Sequence, residues 1–146
     1  MIDIESMVFD TVYNRVSAQF PEADIGSGYD EKTAGHLVLV LRQTSNVPYK
    51  QSATDDCAEN HARVVFEAEA VSDKEGTARS ECKKLLGFVD GIMQGMKFRR
   101  IYMDDPVNID RTRYRQYARY EVIVGKPVVY DAGTANERTV YQMYRR

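Results

Sequence analysis

The chain has no tryptophan, and its 146 residues include only two cysteines, two histidines, four prolines and nine glycines. Cys57 and Cys82 are too few for the disulfide framework on which small secreted domains depend. So little glycine and proline excludes a fibrous repeat and a low-complexity chain. The longest apolar run, Leu37 to Leu41, is five residues, against the roughly 20 that a membrane helix needs. Asp3, Glu5 and Asp10 stand where a signal peptide carries its basic head. No Walker loop, GxGxxG, HExxH or GxSxG motif occurs. The expectation is a single domain, residues 1–146, in a reducing intracellular setting, with no membrane span, no cofactor and no enzymatic signature.

What is present is charge, unevenly placed. The net value of −2 divides into −6 over residues 1–98, with 10 Lys and Arg against 16 Asp and Glu, and +4 over residues 99–146, with 10 against 6. Nine of the ten C-terminal cations are arginine. Such a split gives the folded chain two electrostatic signs with which to meet a partner.

Hydrophobic spacing gives the elements. Ile4, Val8, Val12 and Val16 recur every four residues and predict an opening helix over 2–19, stopped by Pro21. Residues 24–35 are rich in turn formers. Leu37 to Leu41 has no polar alternation and predicts a strand covered on both faces, with something beyond its own core on one of them. Residues 43–61 form a long polar stretch without a period, which predicts a loop. Residues 63–71 alternate as a half-exposed strand. Ala78, Cys82, Leu85, Val89, Met93 and Met96 make the clearest stripe, predicting a helix over 74–97 capped by Asp73. A strand follows over 98–103, then turn residues in Asp104 to Asp110, then a long alternating strand over 112–124. Residues 127–130 and 138–144 predict a closing hairpin. The fold class is α+β: an antiparallel or mixed sheet packed by two helices, in the order α-β-β-α-β-β with a C-terminal hairpin.

Several clusters are candidate sites. Cys57 and His61, with Asp55, Asp56 and Glu59 beside them, offer partial metal ligation, but a structural zinc site takes four Cys or His ligands. Cys57 with His36 or His61 has the residue types of a nucleophilic pair, the basis of a small-enzyme alternative. Cys82 lies on the apolar helix stripe and reads as core. Asp104 with Asp105 and Glu67 with Glu69 are paired acids, the first in a turn and the second on a strand face. Arg111, Arg113, Arg115 and Arg119 fall at strand spacing, leaving a basic stripe that includes Tyr117. That stripe fits phosphates, acidic residues of a neighbouring subunit, or a solvated face, and Glu67 and Glu69 could instead pair with it internally. Ten tyrosines are present, and Tyr130, Tyr141 and Tyr144 crowd the arginine-ended C-terminus, a composition of contact surfaces.

The stretch from Ala62 to Val124 resembles the tail terminator proteins of long-tailed bacteriophages, also called tail completion, neck or minor capsid proteins. The residues that carry the resemblance are Glu81-Cys82-Lys83-Lys84, Val89-Asp90-Gly91-Ile92-Met93, Phe98-Arg99-Arg100 and the Tyr- and Arg-rich run Tyr114 to Tyr120, together with an opening helix that ends in Phe20-Pro21. The long 43–61 stretch and the closing hairpin depart from the short members. The resemblance implies a structural virion protein, made in the host cytoplasm, that forms a homo-oligomeric ring, commonly hexameric, caps the tail tube and joins it to the head connector. A neighbouring head–tail adaptor, connector or tube component of similar fold is the alternative. Its partners would be further copies of itself, the tail tube protein and the head-closure protein, with a non-specific contact to passing double-stranded DNA if the arginine stripe lines the lumen. Leu37, Leu39, Leu41, Tyr49, Tyr130, Tyr141 and Tyr144 are the candidate inter-subunit contacts.

Overall fold

Residue 113 begins the strand around which the sheet is organised. In the computed structural model, which describes residues 1–28, 36–49, 61–125, 128–130, 138–140 and 143–144, β1 is Asp24–Gly26, β2 Leu37–Pro48, β3 His61–Ser72, β4 Arg99–Met103, β5 Val107–Asp110, β6 Arg113–Gly125 and β9 Met143–Tyr144. One edge of β6 is paired with β3 along its length, from Tyr114 opposite Ser72 to Gly125 opposite His61. Its other edge is shared by β5, β4 and β9 in turn. β2 continues the sheet beyond β3, and β1 adds a parallel strand outside β2. The sheet is therefore mixed and seven-stranded. The expected closing hairpin is β7, Val128–Tyr130, paired with β8, Arg138–Val140, as a separate two-stranded sheet.

Both helices cover the same face of the sheet. α1, Glu5–Gln19, buries Val8, Val12 and Val16, the residues at spacing four, and its last turn closes with Phe20 N–H donating to the Val16 carbonyl. α2, Ala78–Gly95, buries Cys82, Leu85, Leu86, Val89, Ile92 and Met93. These meet Leu37, Leu39 and Leu41 of β2, Ala62 to Ala70 at alternate positions of β3, and Ala118, Tyr120, Val122 and Val124 of β6 in one core. Removing each large aliphatic side chain from water contributes up to about 1.5–3 kcal/mol, so this layer is the main source of stability. No described helix is long and apolar enough to cross a membrane.

Four boundaries differ from the expectation. β1 has three residues, one of them Gly and one Asp, too short for any period to show. β2 runs to Pro48 because a bulge between Gln43 and Ser45 inserts Thr44 and reverses the alternation. Asn46 thereby turns to the helix side, where its amide donates to the Ile2 carbonyl at 2.7 Å. The predicted 43–61 loop thus gives up its first residues to β2 and His61 to β3. The predicted Asp104–Asp110 turn holds β5. α2 begins at Ala78, with Thr77 rather than Asp73 at its N-cap, because Gly76 sits at φ +83° and breaks the helical path. Its 18 residues span about 27 Å. The helix ends where Lys97 takes φ +74°, with Phe98 N–H on the Met93 carbonyl and Lys97 N–H on the Gln94 carbonyl, a left-handed cap made without glycine.

Candidate functional site

The face of the sheet turned away from the helices carries most of the chemistry that the sequence singled out. Register sets its rows. Arg42 of β2 lies opposite Glu67 of β3, Glu67 opposite Arg119 of β6, and Arg119 opposite Tyr102 of β4. One row further, Glu69 lies opposite Tyr117, and beyond that Arg115 stands between Val71 and Val107. On the other side, Glu121 stands between Val65 and Arg99.

Glu67 is the centre. Its carboxylate accepts from Arg42 Nη2 at 3.2 Å, from Arg119 Nη2 at 2.9 Å and from the Tyr117 hydroxyl. Arg119 also donates to the Tyr117 hydroxyl, at 3.1 and 3.3 Å, and lies 6.0 Å from the centre of its ring. Tyr102 packs against the same ring at 5.8 Å. Burial alone would raise the Glu67 carboxyl, but the three donors together outweigh it and hold its pKa below the ordinary value. The Tyr117 phenol is pushed up, by burial and by donating to the carboxylate. Glu69 pairs with Arg115 at 3.3 Å, and buried Glu121 accepts from Arg63 Nε and Nη2 at 2.8 and 2.6 Å. Three glutamates thus hold four arginines in fixed geometry.

The predicted arginine stripe is realised at three of its four positions. Arg113, Arg115 and Arg119 share the outer face with Tyr117, while Tyr114, Gln116, Ala118 and Tyr120 face the helices. Arg111 leaves the stripe: it occupies the turn between β5 and β6 at φ +44°, its carbonyl accepting from the Asn108 amide at 2.9 Å. Arg115 and Arg119 are engaged by the chain's own glutamates, whereas Arg99 and Arg113 form no ion pair among the described residues.

Leu37, Leu39 and Leu41 turn inward rather than outward. All three are buried in the chain's own core, and it is Val38 and Val40 that are buried on the opposite face. Alternation explains the correction, because only every second residue of a doubly covered strand can face away from its helices. Tyr49 donates its backbone N–H to the His61 carbonyl at 2.8 Å. Tyr144, on β9 opposite Ile123, is exposed and packs 6.2 Å from the His61 ring. Tyr130 lies on β7. Tyr141 and Cys57 lie outside the described residues.

Of the paired acids, Glu67, Glu69 and Asp104 have structural partners. Asp104 accepts the Tyr117 N–H on its carboxylate at 2.7 Å and donates its own N–H to the Tyr117 carbonyl, filling the gap between β4 and β5 along β6. Cys82 is fully buried, with its sulfur 3.4 Å from the Tyr114 carbonyl. Burial raises its thiol pKa to about 11, so it rests as the unreactive thiol.

A second polar knot lies on the helix side, and the sequence signalled it only through the motif around Asp90. Asp90 of α2 accepts from the Tyr120 hydroxyl at 2.8 Å, from Gln94 at 2.7 Å and from Arg100 at 3.4 Å. One carboxylate thereby ties α2 to β6 and β4. Nothing in the order of residues marked the role of Glu121, because a lone glutamate on an alternating strand reads as solvated until Arg63 is placed diagonally across the ladder from it. No protein-family model matches this chain, and comparison with curated proteins finds no match either.

Proposed function

We propose that this chain is a structural protein of the phage neck, a tail terminator that assembles head to tail into a ring, caps the tail tube and joins it to the head connector. The observation that carries the reading is the composition of the sheet's outer face. Both helices occupy the other side, and this face presents arginines and tyrosines held in place by buried carboxylates. Arginine and tyrosine fixed in geometry are the residue types that dominate the energetics of protein contacts, because ordering them again on binding costs little. Four of the arginines already meet carboxylates of this chain, which favours a protein partner over nucleic acid for the face as a whole. Passing double-stranded DNA would be met by Arg99 and Arg113, through a contact indifferent to sequence.

The test is placement and loss. Antibody labelling of intact virions, viewed by electron microscopy, is expected to mark the junction of head and tail. Infection without the protein is expected to yield tails of irregular, excessive length. Label along the tube, or arrested tails of normal length, would replace the terminator reading with that of a tube or adaptor component.

A further inference from the structure

Two exposed patches, one on each side of the sheet, are chemically complementary. On the outer face, Tyr102 and Val107 are about half exposed, at 51% and 49%, among Arg99, Arg113, Arg115 and Arg119. Among the described residues the face holds six arginines, these four with Arg42 and Arg63, against Glu67, Glu69 and Glu121. Asp104, Asp105 and Asp110 follow at the rim, and the Asp104 carboxylate is engaged by the Tyr117 N–H. On the helix side, α1 turns Met7 and Tyr13 outward, at 39% and 45% exposure, with Asp3, Glu5 and Asp10 exposed beside them and Arg15 as the one cation of that helix.

We infer that these two patches dock on each other between copies of this chain, α1 of one copy lying on the outer sheet face of the next. The inference rests on the ring reading above and names the surfaces that such a ring would use. Charge complementarity selects a second copy: the strand rows of the sheet face carry six described arginines against three glutamates, with the three aspartates confined to the rim, and the α1 face has carboxylates in excess. Each patch also carries apolar side chains, Tyr102 and Val107 on one and Met7 and Tyr13 on the other, that lose water on contact. Because the patches differ and lie on opposite sides of the sheet, the contact is heterologous, so it propagates from copy to copy until the rotation between copies closes it. Charge steers the encounter between copies, so their association is expected to weaken as salt is added.

The test is a charge swap. Arg99→Glu with Arg113→Glu makes the sheet face acidic, and Asp3→Lys with Asp10→Lys makes the α1 face basic. All four positions are exposed, and circular dichroism confirms that each variant folds. In sedimentation velocity at low salt, up to millimolar protein, the wild type is expected to associate. Each variant alone is expected to associate at least tenfold more weakly, and an equal mixture of the two to recover association, because each then presents the sign the other needs. Wild-type oligomers that both variants reproduce would overturn the choice of surfaces and leave the ring reading in place. Variants that stay apart when mixed would do the same. A wild type that remains monomeric throughout would overturn the head-to-tail contact, while the position of label in virions decides the neck reading separately.

Discussion

Tyr117 and Glu67 face each other diagonally across the β3–β6 ladder, the phenol donating to a carboxylate that also accepts from Arg42 and Arg119. The arrangement makes stability depend on acid. Glu67 in the folded chain has a pKa below the ordinary value of 4.5, so on acidification the unfolded chain takes up the proton first. Its contribution is complete above the unfolded value and is lost as pH falls through the lower folded one. Glu67→Gln is expected to cost about 1–3 kcal/mol at neutral pH, since it leaves two arginines and a phenol facing a neutral amide. The gap from the wild type is expected to narrow as pH falls below 4.5. Urea titrations across that range measure it, and a gap constant with pH would show that the carboxylate's charge is not what holds the face.

Asp90 and Tyr120 make a different kind of pair, because the phenol is fully buried while the carboxylate has two further donors in Gln94 and Arg100. Burial and the bond to Asp90 push the Tyr120 phenol well above its usual value. Removing the two partners is therefore unequal. Tyr120→Phe leaves Asp90 with its other donors and is expected to cost about 1 kcal/mol, whereas Asp90→Ala strands a buried hydroxyl and is expected to cost about 2–3 kcal/mol. A double-mutant cycle from thermal or urea melts is expected to give a coupling near 1 kcal/mol. Equal single costs with no coupling would contradict the geometry.

The same two knots show what the sequence could and could not disclose. Period is local, so α1 was readable from Val8, Val12 and Val16, α2 from its stripe, and the two faces of β6 from Arg113 to Val124. Register is not local. Nothing in the order of residues placed Glu67 between Arg42 and Arg119, 25 and 52 positions away. Glu69 and Glu67 were visible as possible internal partners for the arginines, but the diagonal pair Arg63 and Glu121 was not. The inserted Thr44 concealed half of β2 by shifting its period, and the three residues of β1 were too few to have one. Leu37, Leu39 and Leu41 were read correctly as a covered strand, yet which residues look away from the core is decided by the side on which α1 and α2 pack.

Cys82 offers a probe of that packing. Its sulfur sits between the Ala70 and Tyr114 carbonyls at 3.6 and 3.4 Å, and its thiol pKa is raised to about 11 by burial. In a Cys57→Ser background, a thiol reagent at pH 8 is expected to label no more than a trace of native protein over hours and to label it fully in denaturant. Since reaction requires α2 to lift from β3 and β6, the labelling rate is expected to rise in Asp90→Ala in proportion to its loss of stability. Rapid labelling of the native protein would place the thiol outside the core.

Glycine supplies a contrast in sign. Gly91 lies within α2 and Gly76 in the turn before it, and a Cβ on either would meet nothing within 4 Å. Space therefore does not separate them, and backbone geometry does. Gly91→Ala removes the entropic penalty of an exposed helical glycine and is expected to stabilise by about 0.8–1 kcal/mol. Gly76, at φ +83°, holds a conformation that costs an alanine about 1–2 kcal/mol, so Gly76→Ala is expected to destabilise by about that amount. In a chain of this length roughly 2–4 °C of melting temperature accompanies each kcal/mol, so the two variants are expected to melt on opposite sides of the wild type. Melting on the same side would mean that α2 starts earlier than Ala78, with residue 76 inside the helix.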